Sequence, residues 1–150
     1  MATETKTAQR VPKKARVAGR VGTKRGEAIG TVTIKTIRQG LSTKVLKTLA
    51  ADLELSERRL ARVLHIPDRT LDRRLKEGVL SPEESDRVAR VARILERAQE
   101  VFGNADKARG WMNTQLVAFD GETPLERADT SIGASQVEDV LGRIDYGVYS

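Results

Sequence analysis

The side chains with enough chemistry to suggest catalysis are few and scattered. His65 is the single histidine of the chain, and there is no cysteine to pair with it. Neither a two-residue nucleophile relay nor a set of metal-binding nitrogens and sulfurs can be assembled from that. A structural role is therefore expected of His65, at the end of a helix beside a turn. Glu83, Glu84 and Asp86 bunch at what reads as a helix N-terminus, where negative charge opposes the positive end of the helix dipole. That placement accounts for them without general acid–base work. The stretch "GRVGTKRG" resembles a phosphate-cradling loop only in its glycines, and no strand pattern precedes it. The expectation is a protein without catalytic residues, metal or cofactor.

A second group has chemistry suited to nucleic acid. Residues 56–77 read as helix, short turn, helix, with apolar positions on the two halves facing each other. This is the helix-turn-helix pattern, whose second helix can lie in the major groove of DNA. The outward positions of that helix are Asp68, Arg69, Asp72, Arg73 and Lys76. An arginine can fork onto guanine O6 and N7, and Thr70 can reach a phosphate. The two aspartates among them oppose a polyanion, so an ordinary solvated helix pair is the competing account.

Helices must position these residues, and the sequence marks them out. "LSTKVLKTLAADLEL" has Ser42 as an N-cap and Val45, Leu46, Leu49 and Leu53 on one face. "SERRLARVLHI" is capped at Ser56, with Leu60, Val63 and Leu64 inward. "DRTLDRRLKEG" spaces Leu71 and Leu75 by four and stops at Gly78. In "SPEESDRVARVARILERAQEVFG", Ser81 caps, Pro82 takes the first helical position and Glu84 completes a capping box. Val88, Val91, Leu95, Ala98 and Phe102 then form its inner stripe. Arg87, Arg90, Arg93 and Arg97 line the opposite face, which predicts a solvated surface. Further helices are expected in "ADKARGWMN", at Pro124 in "ETPLERAD", and over roughly 131–146, with Val137, Val140, Leu141 and Ile144 apolar. Gly142 within that last helix predicts close packing against a neighbour. "TVTIKTIRQG" fits either a short strand or one or two helical turns. The fold class is all-α.

Charge and aromatic content divide the chain. Residues 1–39 carry ten Lys and Arg against two acids, whereas residues 111–150 carry two against seven. All five aromatics lie beyond residue 101, and the two tyrosines, Tyr146 and Tyr149, fall in the last five positions. A basic front suits a polyanion partner, and an acidic rear bearing aromatics suits a protein partner. Residues 1–30, with no repeating apolar face, are expected to form a disordered basic tail. The helix-turn-helix part is expected over 31–80 and a helical C-terminal part over 81–150. No run reaches membrane-spanning length and no secretory signal pattern is present, so a cytoplasmic protein is expected.

The rear carries a further pattern. Leu80, Ser81, Glu84, Ser85, Asp86 and Arg87 are followed by Ala98, Phe102, Gly103, Ala108 and Trp111. Gly121, Pro124, Leu125, Thr130, Gly133, Val137, Leu141, Ile144, Tyr146 and Gly147 complete it. Together with "TLDRRL", this ensemble resembles the Xre/MbcA/ParS-type antitoxins of bacterial toxin–antitoxin pairs over about residues 40–150. It departs from them at Gln115, near which the family often has a proline, and at Phe119-Asp120, which replace small residues. The resemblance implies an antitoxin that binds a cognate toxin through its C-terminal region, the toxin being a RES-domain enzyme that consumes NAD and is encoded in the same operon. It also implies operator binding through the helix-turn-helix, with autorepression. Direct toxin contact is expected from Arg143, Asp145, Tyr146, Val148, Tyr149 and Ser150, and a homodimer is expected because such operators are usually palindromic. The alternative is a plain helix-turn-helix regulator whose rear half only dimerises.

Overall fold

In the computed structural model the described residues are 32–147. The expected disordered tail over 1–30 and the contact residues Val148, Tyr149 and Ser150 lie outside them. The described chain is helical throughout: α1 (Ile34–Gln39), α2 (Thr43–Asp52), α3 (Glu57–Val63), α4 (Asp68–Glu77), α5 (Pro82–Phe102), α6 (Ala105–Met112), a 3-10 turn (Val117–Phe119), α7 (Pro124–Arg127) and α8 (Ser131–Asp145). No strand occurs among these residues. The ambiguous stretch before Gly40 is helix α1, because Thr33 caps it and exchanges hydrogen bonds with Thr36.

The caps fall where the polar residues put them. Ser42, Ser56 and Ser81 each accept a hydrogen bond from the first turn of the helix they precede. Gly78 and Gly103 end α4 and α5 in the left-handed region, which costs glycine nothing. The 21-residue helix α5 is the axis of the molecule, with α1, α2, α6 and α8 packed against it. One continuous core runs from Leu41 to Leu141. It includes Leu46, Leu49, Leu60, Leu64, Leu71, Ile94, Leu95, Met112 and Leu141, with Phe102, Trp111 and Ile144 half-buried at its edge. No helix among the described residues is long and apolar enough to cross a membrane.

The segment 40–80 is closed on itself. Leu80 donates its N–H to the Leu41 carbonyl and Thr43 donates to that of Gly78, at 2.9 and 3.1 Å. Gly40 makes this approach feasible. Its φ is +96°, and a β-carbon there would collide with the Leu80 carbonyl. The Leu41 N–H is buried and is satisfied 44 residues away by Ser85 Oγ at 2.7 Å. Entry, exit and axial helix are thus tied at one point.

The expected packing role of Gly142 is not what the structure shows. A β-carbon at Gly142 would meet nothing within 4 Å. The glycine that packing demands is Gly133, in the first turn of α8, where a β-carbon would run into the Arg127 carbonyl at the end of α7. The connection from α7 to α8 is so short that the two helices meet backbone to backbone there.

Candidate functional surfaces

The helix-turn-helix is α3, a turn over Leu64–Pro67, and α4. Ile66 and Leu64 are buried beneath the turn, and His65 adopts a left-handed backbone at φ +59° to let the chain reverse. Helix α4 buries only Leu71 fully, with Leu75 half-buried, so burial alone fastens it weakly. Charge supplies the rest. Asp72 lies 2.9 Å from Arg58, and Asp68 lies 3.1 Å from Arg62 and 3.7 Å from Arg58. The Arg62 hydrogen bond, supported by both arginine charges, outweighs desolvation and holds the Asp68 carboxyl below the usual carboxylate range. On its other side, Arg74 grips Glu84 through Nε at 2.7 Å and a second nitrogen at 3.3 Å. Glu84 also accepts the Ser81 N–H at 2.9 Å, so one carboxylate both caps α5 and anchors α4. Burial raises the Glu84 pKa, but Arg74 and Ser81 outweigh it and the net shift is downward.

These pairs sort the six positions expected to face DNA. Asp68 and Asp72 are engaged by α3, which neutralises the two charges that opposed a polyanion. Arg69, Arg73 and Lys76 are exposed and lie within one helical stripe opposite Leu71, with Thr70 half-buried at its edge. Arg73 has one weak neighbour, Glu77, at 4.0 Å. What remains outward is a cationic row, the arrangement that phosphate and guanine edges require. The parts played by Arg58 and Arg62 were not expected, although an Arg-rich helix preceding an Asp-bearing one is the signal for them.

The arginines of α5 are not the solvated row that their spacing predicts. Arg87 donates to the Leu64 carbonyl in the helix-turn-helix turn at 3.0 Å. Arg90 donates to the Asp129 carbonyl at 3.3 Å and to Asp86 at 2.6 Å. Arg97 reaches Asp145 at the far end of α8, at 3.0 Å. Only Arg93 of the four is exposed. His65 has the structural part expected of it: its Nε2 lies 2.8 Å from the Asp129 carboxylate, just before α8. The turn of the helix-turn-helix is therefore laced to the start of the closing helix.

At the rear, α8 turns Gly133, Ala134, Val137, Val140 and Leu141 inward. Its end is pinned by the Arg97–Asp145 pair, so Asp145 is partly committed within the chain. Arg143 is exposed, and Tyr146, the C-cap of α8, is 84% exposed. Arg127 stacks over Phe119, with 5.5 Å to the ring centroid, while holding Gln136 at 2.9 Å and Glu122 at 2.7 Å. This braces the loop that carries Val117 against α8.

A helical protein with a cationic row on the second helix of a helix-turn-helix in front and an exposed tyrosine behind fits the class of helix-turn-helix proteins with an added helical part. Comparison with known proteins narrows this. Residues 33–93 match the family described as the antitoxin Xre-like helix-turn-helix domain. Residues 97–147 match the antitoxin Xre/MbcA/ParS C-terminal toxin-binding domain. A protein named Antitoxin Xre from Yersinia enterocolitica is 34% identical over 123 residues, covering 81% of this chain and 83% of the relative. Another Antitoxin Xre, from Pseudomonas putida, is 41% identical over 55% of this chain and 52% of its own length. A Sphingobium protein named Prs ADP-ribosylating antitoxin is 23% identical over 78% of this chain and 80% of its own. The chain belongs to the Xre antitoxin family, with a helix-turn-helix domain followed by a C-terminal toxin-binding domain.

Proposed function

We propose that this antitoxin silences a RES-domain, NAD-consuming toxin encoded in its own operon by laying its C-terminal end over the toxin's substrate cleft. It also binds the operator through α4 and represses that operon. Residues 31–80 do the DNA work and residues 81–150 the toxin work, by binding rather than catalysis, in the cytoplasm and as a homodimer within a larger complex. The observation that carries this reading is the end of α8. Helix and core stop at Asp145, and Tyr146 stands in solvent immediately ahead of Val148, Tyr149 and Ser150. An exposed tyrosine costs the free chain little entropy to present and is among the residues that dominate interface energies. Acidic neighbours (Glu138, Asp139, Asp145) suit a cleft whose cationic groups hold a phosphate-bearing cofactor. The Sphingobium relative's name is in keeping with this, since ADP-ribosyl transfer draws on NAD.

Two measurements test the two halves. A chain ending at Asp145 keeps α8 and its Arg97 pair and is expected to lose protection of growth against the toxin. Undiminished rescue would overturn the tail as the inhibitory element. Arg73→Ala is expected to weaken binding to a DNA fragment from upstream of the operon by about 1–3 kcal/mol. Wild-type operator protection by that variant would remove α4 as the reader.

A further inference from the structure

The six expected contact residues at the C-terminus are too few for a specific complex, which uses roughly 20–30 residues a side. The rest of the footprint has to come from the body of the toxin-binding domain. Within residues 97–147, the large apolar side chains left exposed are Val117 at 96%, Ile132 at 74% and Tyr146 at 84%. Their positions are related. Ile132, Gln136, Asp139, Arg143 and Tyr146 follow one another at steps of four, three, four and three along α8, and all five are exposed. They form a single straight stripe, apolar at both ends and about 21 Å long by helical rise. Val117 directly precedes Ala118, which reaches the stripe's middle. The adjoining Ala118 and Phe119, with Gln136, Asp139 and Arg143, line a notch of about 200 Å³, the size to seat one incoming side chain.

Resting on the toxin-binding reading above, we infer that the stripe from Ile132 to Arg143, with Val117 and the notch next to it, is the surface that holds the body of the toxin, while the residues after Asp145, from Tyr146 on, do the inhibiting. Affinity and silencing are then carried by different parts of one face. The occupant is the toxin rather than a second copy of this chain. The stripe lies within residues 97–147, which match a toxin-binding domain, and its exposed Asp139 and Arg143 offer such a partner one charge of each sign between two apolar ends. Isolated exposed apolar side chains are ordinary. Two that cap one stripe of a toxin-binding domain, with a third next to a notch on its side, are not accounted for by the fold, because none of them contributes to the core.

The test uses the full chain and the purified product of the neighbouring toxin gene, with binding measured by calorimetry and NAD consumption measured in parallel. The variant Val117→Asp/Ile132→Asp changes only exposed positions, and an aspartate in the first turn of α8 favours that helix. It is expected to bind the toxin at least ~10-fold more weakly with an unchanged melting curve. The chain ending at Asp145 is expected to keep measurable binding while leaving NAD consumption unchecked. Wild-type affinity of the double variant overturns the inference, as does loss of all binding on truncation alone. So does a double variant that alters self-association in the ultracentrifuge but not toxin affinity, which would mark the stripe as a contact between copies. In each of those cases the antitoxin function itself stands. Failure of the full-length chain to bind the toxin at all removes that function and this surface together.

Discussion

Helices α4 and α8, the two elements proposed to face partners, are fastened in opposite ways. Helix α4 buries one residue, Leu71, and is held by ion pairs on both flanks, to Arg58 and Arg62 on α3 and to Glu84 on α5. Helix α8 buries five residues, two of them glycine and alanine, and meets α7 at backbone distance. The difference lies in what each leaves outside. By turning its acids toward α3, α4 leaves a row of cations outside. By turning its small and branched residues inward, α8 leaves isoleucine, tyrosine and mixed charge outside. Each mode of attachment selects the surface that remains.

The strongest way to break this contrast is at Gly133. Gly133→Ala forces a β-carbon against the Arg127 carbonyl, a backbone atom that cannot swing aside. The cost is expected at the upper end of about 1–3 kcal/mol or beyond, read as a lower midpoint in urea. Helix α4 answers to acid instead. Asp68 and Glu84 both have folded-state pKa values below their unfolded ones. Their contribution is therefore present above the ordinary carboxylate range and is lost as pH falls through the folded values. Thermal melts from pH 6 down to pH 3 should show a falling midpoint. Glu84→Gln should cost about 1–2 kcal/mol at pH 7 and flatten that fall; an unchanged slope would show that the Arg74–Glu84 pair does not fasten α4. The smallest effect sharpens the comparison within α8. Gly142 lies in open space, so Gly142→Ala should stabilise by up to about 1 kcal/mol, opposite in sign to the change at Gly133.

Most of the fold could be read from the sequence because its signals are local. Ser42, Ser56, Ser81, Pro82, Pro124, Gly78 and Gly103 each act within a turn of their own position. The inward stripes likewise follow from a period of 3.6 residues. What could not be read depends on partners far along the chain. Arg87 and Arg90 look like any solvated arginines until the Leu64 and Asp129 carbonyls, 23 and 39 residues away, are brought beside them. The two glycines of α8 look alike for the same reason, since only the position of α7 tells them apart. A clue lay in the Thr130-x-x-Gly133 spacing, where the Thr130 hydroxyl accepts the Gly133 N–H at 3.0 Å. On α4, the helical period alone places Arg69, Asp72, Arg73 and Lys76 outward, as they are, but it also placed Asp68 there, which is half-buried. It did not show that the preceding helix had already neutralised the aspartates.

Helix α5 runs through residues matched by both family domains, the first match ending at 93 and the second beginning at 97. The join between the halves is thus a rigid rod rather than a tether, and it has a phase. Adding one residue there would turn the rear about 100° around the axis and advance it about 1.5 Å. That would pull Asp129 away from His65 and Arg90. Any exchange of one half for a relative's has to keep the number of residues between Arg90 and Arg97. The phase of this rod is thus as much a part of the fold as the contacts it aligns.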